Sequence, residues 1–327
     1  HEAACASASI ATLAATAEIE AGRYDCVLVI GAEELRNLGG DQAAINQNSA
    51  AWTGREDQDC KFMWPYVFGK LGFEYAERYG LKREHLHRIA ELNYANAKRN
   101  PNAQSRKWQF TDLSFTDDDD ANPLIEPGIR RQDCGQVTDG AAAIVLASPR
   151  FAAEHAKRRG GRLAQLPRIL GWGHRTASIT YDDKIERSRG AEYIFPHVRD
   201  AITDAYQRAG IAGPQHLDGI ETHDCFTTTE YMAIDHFGIT APGESWKAIE
   251  SGEIDMGGRI PVNPSGGLIG LGHPVGATGA RMLLDAAKQV TNTAGDYQVE
   301  GARTFGTLNI GGSATTIVSF VVGTRDD

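Results

Sequence analysis

Long apolar runs are missing from this 327-residue chain; none approaches the roughly 20 residues that a membrane-spanning helix needs. No secretory leader is visible either. Basic charge is also short: Lys and Arg number 33 against 43 Asp and Glu, giving a formal net charge of −10. That balance argues against a nucleic-acid binder, which would show a basic face. Cysteine is sparse. The five cysteines (5, 26, 60, 134 and 225) are widely spaced, odd in number and in no CxxC pair. A disulfide framework and a structural zinc site are therefore not expected, and a reducing cytoplasmic compartment is. The last residues, Thr324 to Asp327, carry no peroxisomal tripeptide, which points to a bacterial-type cytosol. The chain does not begin with Met, so its natural beginning is expected to lie upstream.

What is present is an ordinary soluble composition, with 41% hydrophobic and 23% charged residues. An alanine-rich helix from Ala6 to Glu20 precedes the apolar run YDCVLVI (Tyr24–Ile30), bounded by Gly22 and Gly31. Such a run predicts a strand buried on both faces, and helix followed by buried strand predicts an α/β layer architecture. From about Leu35 to Pro127 the chain turns polar, aromatic and helical in patches, as expected of an insertion lying over the core. The acidic run Asp117–Asp120 within it reads as a solvated loop, because adjacent side chains cannot all converge on one ion.

The core resumes with VTDGAAAIVLAS (Val137–Ser148), and a linker rich in Arg and Gly leads to a second half beginning near Leu166. The halves rhyme. VTDGAAAIVLAS and NIGGSATTIVSFVV each set a polar-Gly turn before a β-branched strand, and each half has a small-residue turn opening a helix. A duplicated α/β unit is expected.

Four stretches could carry chemistry, each where a strand or turn meets a helix, the usual place for ligand sites in such folds. Cys5, in ACAS, stands at a helix N-terminus, where unpaired N–H groups and the helix dipole would lower a thiol pKa. The alternative is a small buried residue, which is how Cys26, Cys60 and Cys134 read. In THDCF, His223 and Cys225 are two apart on extended chain and so point the same way; a hydrogen-bonded loop histidine is the plainer reading. In GLGHPVG, glycines and Pro274 would hold His273 rigidly at a helix entrance; a phosphate cradle is disfavoured because no P-loop lysine follows. Asn309-Ile310-Gly311-Gly312 is a turn whose N–H groups could bind an oxyanion, or simply a tight turn.

Together and in this order, these stretches resemble the thiolase superfamily over essentially the whole chain. CASAS resembles its nucleophile motif and GHPVGATGARM its histidine motif. HDCF, with Asn at 309 where ordinary thiolases have a cysteine-x-glycine motif, resembles the sterol-carrier-protein-type branch. FGKLGFEYAERYG (Phe68–Gly80) resembles that branch's covering loop domain. The resemblance implies a layered α-β-α-β-α fold made of two similar halves. Residues 1–36 and 128–163 would form the N-terminal half, 37–127 the loop domain and 164–327 the C-terminal half. Thiolases carry further strands before the nucleophile, so the N-terminal half is expected to be incomplete at its start.

The same resemblance implies a thiolase that forms or cleaves 3-oxoacyl-CoA through an acyl-cysteine, in lipid or sterol side-chain metabolism. Cys5 would be the nucleophile, His273 its base, Cys225 the acid/base on the acetyl methyl group, and His223 the holder of a water at the enolate oxygen. Backbone N–H groups of Cys5 and Gly311 would form one oxyanion hole, His273 and His223 the other. Phe68, Gly135 and Phe226 would border the substrate and CoA, with a plain core role for Phe68 as the alternative. CoA and acyl-CoA are substrates; no metal or other cofactor is implied. A homodimer or tetramer follows from the resemblance, with a small partner subunit as a further option. An acyltransferase to a non-CoA acceptor, a retro-aldol lyase and a non-catalytic acyl-CoA-binding subunit are the alternatives.

Overall fold

The computed structural model describes residues 1–56 and 58–324. Residues 325–327, the end of the C-terminal half and of the tail read above, lie outside the described residues.

Helix α1 (Ser7–Glu20) leads through a turn at Gly22 into strand β1 (Cys26–Glu33). Short helix α2 (Gly40–Asn46), then α3 (Met63–Tyr79) and α4 (Arg83–Ala97), fill the insertion. A small hairpin, β2 (Leu124–Glu126) and β3 (Ile129–Arg130), follows, and β4 (Gly140–Ala147) returns antiparallel to β1. The boundary expected at 127/128 falls in the turn of that hairpin, where Gly128 takes a φ of 82°.

After α5 (Pro149–Arg158), strand β5 (Arg168–Thr176) opens the second half. Helices α6 (Tyr181–Arg187) and α7 (Pro196–Ala209) come next, then β6 (Gly219–Thr222), α8 (Thr227–His236) and α9 (Ser245–Glu250). Helix α10 (Thr278–Val290) and strands β7 (Thr304–Gly311) and β8 (Thr316–Gly323) complete it. The strands form one sheet in the order β5-β8-β7-β6, with only β6 and β7 parallel.

The layers follow from which helices are apolar enough to be covered. Helix α10 packs against strands of both sheets and against α1, so the two helices lie between the sheets, while α7 covers the far side of β5 and β8. The expected rhyme is visible: α1 with β1 and β4 mirrors α10 with β7 and β8. The insertion does more than lie over the core. Leu71 and Tyr75 of α3, and Ile89 of α4, belong to one buried cluster with Tyr231 of α8 and Ile220 and Leu308 of the second sheet.

Two expectations are corrected. β1 is covered on one face only: Leu28 (57% exposed), Ile30 (61%) and their cross-strand neighbour Val145 (64%) lie open. Cys26 shares that open face and is exposed, not buried. An apolar run shows that a strand can be covered twice; whether a layer lies over each face is decided by the rest of the fold. The acidic run is an exposed loop as expected, with Asp117 paired to Arg83, His87 and Arg130, and Asp119 to Arg130.

Candidate active site

Cys5 sits two residues before α1, in a turn made tight by short side chains. Ala4 adopts φ 50°, an uncommon conformation for a residue with a Cβ. The turn is held from several sides. Glu2 accepts the Ala4 N–H at 2.6 Å, and the Ser7 hydroxyl accepts the Ala3 N–H at 2.9 Å while donating to the Ala4 carbonyl at 2.6 Å.

The end of β7 comes up against this loop because its last residue is glycine: a Cβ on Gly311 would lie 2.3 Å from the Ala3 oxygen. His223 leaves the C-terminal end of the fully buried β6, and Phe226 precedes α8. Gly135 approaches the same loop, donating its N–H to the Cys225 carbonyl at 2.7 Å. Cys225 Sγ lies 3.8 Å from Thr229 Oγ1.

His273 follows a π-turn, Gly267–Leu271, flanked by glycines with positive φ at 266, 267 and 272. Its Nδ1 is 2.8 Å from Thr278 Oγ1, and that hydroxyl donates to the Pro274 carbonyl at 3.2 Å. The threonine oxygen therefore accepts Nδ1–H, and His273 Nε2 keeps its lone pair. The rings of His223 and His273 meet edge to face, 5.3 Å between centroids.

Cys5 Sγ and one nitrogen from each of these two rings all lie within 4.8 Å of one another. Among the described residues this is the one group of such side chains close enough to hold a metal ion. All eight residues singled out in the sequence (Cys5, Phe68, Gly135, His223, Cys225, Phe226, His273 and Gly311) line one cavity of about 850 Å³. Phe68 and Phe226 stack in its wall, 5.1 Å between ring centroids.

The electrostatics overturn one expectation. Burial pushes the Cys5 thiol up to about 12, and the charges of Glu33 and Glu2 push the same way. The helix start does not prevail, because desolvation of a thiolate outweighs a few oriented N–H groups. Burial also holds His273 down to about 3, helped by the Arg281 guanidinium, and lowers His223. Cys225 is raised by burial, with Cys5 and Asp224 adding to it. At neutral pH the resting centre is thus two thiols and two neutral imidazoles.

The roles of several site residues escaped the sequence reading. Asn309 Nδ2 lies 3.1 Å from His223 Nδ1, and the Ser9 hydroxyl donates to Asn309 Oδ1 at 2.7 Å. Asp224 is wholly buried and accepts the N–H groups of Leu268 and Ile269. Ser9, Asp224, Thr278 and Asn309 all fall within the quoted motifs, but only their partners across the fold give them roles.

A layered α/β protein with a cysteine at a helix entrance and two histidines and a second cysteine around one cavity has the makings of an acyl-transferring enzyme. The sequence matches the thiolase N-terminal domain over residues 2–117 and the thiolase C-terminal domain-like family over 181–324. It is 30% identical over 317 residues to an acetyl-CoA acetyltransferase of Methanothermobacter thermautotrophicus, covering 96% of this chain and 77% of that one. The chain therefore belongs to the thiolase family, a family of acyltransferases. It is also 29% identical over 330 residues to sterol carrier protein 2 of Bos taurus, where it covers 98% of this chain and spans 58% of the relative. Among solved structures it resembles an Ltp2-ChsH2(DUF35) aldolase, with a TM-score of 0.76 at 21% identity, covering 98% of this chain and 78% of that one. Among the described residues no helix is long and apolar enough to cross a membrane.

Proposed function

We propose that the protein forms or cleaves 3-oxoacyl-CoA as an acetyl-CoA C-acyltransferase working through an acyl-Cys5 intermediate. The observation that carries this reading is the single cavity onto which Cys5, His223, Cys225 and His273 all open. His273 Nε2 takes the proton from the Cys5 thiol as sulfur attacks the thioester carbonyl. CoA then leaves with the proton of the Cys225 thiol while the acyl group stays on Cys5, so that His273 keeps a hydrogen on Nε2 and Cys225 is left as a thiolate. The neutral resting pair makes this a coupled transfer rather than attack by a standing thiolate. Backbone N–H groups of Cys5 and Gly311 serve the first oxyanion. His273, with a water held by His223, serves the enolate oxygen when Cys225 moves the proton at the acetyl methyl group.

Phe68, Gly135 and Phe226 border the acyl and pantetheine arm. CoA and acyl-CoA enter as substrates, in lipid or sterol side-chain metabolism. We place the protein in the cytoplasm, the compartment that its sparse and widely spaced cysteines suit. A homodimer or tetramer, with room for a small partner subunit, completes the reading.

The test is direct. Incubation with acetyl-CoA should leave an acetyl group on Cys5, seen by peptide mass spectrometry and absent from Cys5→Ser. Thiolysis of 3-oxoacyl-CoA should depend on both Cys5 and Cys225. Carbon–carbon cleavage with no adduct on Cys5 would replace this reading with a retro-aldol lyase.

A further inference from the structure

His223 has two ring nitrogens, and its neighbours decide which of them carries the hydrogen. Asn309 stands on β7 and is buried, as is Ser9 on α1. Asn309 faces both, with its Oδ1 2.7 Å from the Ser9 hydroxyl and its Nδ2 3.1 Å from His223 Nδ1. Among the described residues Asn309 is the one hydrogen-bond partner of that hydroxyl. With the amide turned over, Ser9 would have to accept from it, and the buried hydroxyl hydrogen would lose its acceptor. Glycine at 279 is what lets the three groups close up: a Cβ there would lie 2.2 Å from Ser9 Oγ and 2.7 Å from Asn309 Oδ1.

Ser9 thus orients the amide, the amide donates to Nδ1, and the hydrogen of a neutral His223 is left on Nε2. His273 carries the opposite tautomer, its Nδ1–H donating to Thr278. We propose that Asn309 is a positioning residue that sets the tautomer of His223, so that this ring offers a donor to the cavity while His273 offers a lone pair.

The inference rests on the acyl-transfer reading only for its kinetic consequence. One imidazole then takes the nucleophile's proton, and the other is fixed as a hydrogen-bond donor for the water or oxygen at the enolate position. It also predicts that Cys5, His223 and His273, though within 4.8 Å of one another, make a poor metal site. An Nε2–H is a poor metal ligand.

The experiment is histidine ¹⁵N NMR on the full chain, with the His223 signals assigned by their loss in His223→Gln. Wild type should show a pyridine-like Nδ1 and a protonated Nε2 at His223. Asn309→Asp, whose carboxylate must accept from Nδ1–H, should reverse the pattern, and Ser9→Ala should give a mixture of the two. In kinetics, Asn309→Asp should slow the carbon–carbon step at least tenfold more than acylation of Cys5, because the donor is lost where the enolate forms. Added Co²⁺ should give a thiolate charge-transfer band in Asn309→Asp that wild type lacks.

A wild-type His223 protonated on Nδ1 would overturn the inference. So would a reversed tautomer in Asn309→Asp that slows both steps equally. Should Asn309→Asp not fold, Ser9→Ala decides by the same spectrum. A wild type that never acylates at Cys5 would defeat the acyl-transfer reading, while the NMR result would still stand on its own.

Discussion

The carboxylate of Asp224 accepts the backbone N–H of Leu268 at 2.6 Å, and its second oxygen accepts that of Ile269 at 3.1 Å. Through this one side chain the loop bearing His223 and Cys225 is tied to the π-turn that delivers His273. The fit is close enough that a Cβ on Gly267 would lie 2.2 Å from Asp224 Oδ2. Asn93 adds a 3.2 Å bond to the same carboxylate and reaches on to Glu230 at 2.6 Å. Asp224→Asn keeps the shape but sets an NH₂ against one of the donors. We predict a loss of about 1–3 kcal/mol in stability for the mispaired buried group. Activity should fall more than tenfold, read by urea denaturation and thiolysis rates. Wild-type stability and rate in this variant would show that the tie is idle.

The approach of Gly311 to Ala3 makes a second prediction. In Gly311→Ala the new methyl meets the Ala3 carbonyl at 2.3 Å, so either the turn or the nucleophile loop must move. Acylation of Cys5 should slow on the order of 10²-fold, the scale of one lost oxyanion donor. A burst assay for released CoA measures it, and an unchanged burst would remove Gly311 from the oxyanion role.

Because burial pushes the Cys5 thiol up to about 12, no standing thiolate should be present at neutral pH. Alkylation of Cys5 by iodoacetamide, followed by peptide mass spectrometry, should therefore keep accelerating from pH 7 to pH 10, roughly tenfold per unit, since only the thiolate reacts. A rate already flat at pH 7.5 would mean that the helix start wins after all.

Glu230 is raised to about 8, first by burial and then by the charge of Asp224. The folded protein holds that proton where the unfolded chain releases it near 4.5, so its stabilising contribution is complete below pH 4.5 and is lost as pH rises through 8. Glu230→Gln carries no proton to lose. Its urea midpoint should fall less than that of wild type between pH 5 and pH 9, and parallel curves would contradict this.

The opposite sign applies to His197. Burial lowers it to about 4 against an ordinary 6.5, while its Nε2 lies 2.8 Å from the Ala314 carbonyl. The unfolded chain takes up a proton first as pH falls, so this site destabilises the fold progressively from about pH 6.5 down to pH 4. His197→Gln, a neutral donor, should shrink the stability loss between pH 7 and pH 5, followed by thermal unfolding at each pH.

Much of this was legible in the chain itself. Helix α1, the strands of both halves and the turn-to-helix placement of Cys5, His223, Cys225 and His273 follow from apolar runs, glycines and Pro274, all features of neighbouring residues. The duplicated unit was legible because each half repeats the same local pattern. What the sequence misjudged, it misjudged for one reason. Coverage of β1, exposure of Cys26 and the state of the Cys5 thiol depend on which atoms arrive from elsewhere and how much water they expel.

The sequence by itself determined which chemical groups exist and which turns present them. Tertiary structure alone decided their protonation and their partners. Ser9 and Asn309 are 300 positions apart, and Asn309 and His223 are 86 apart. Hydrogen bonds of a few ångströms and desolvation of a few buried atoms are properties of the assembled interior, which no local pattern encodes.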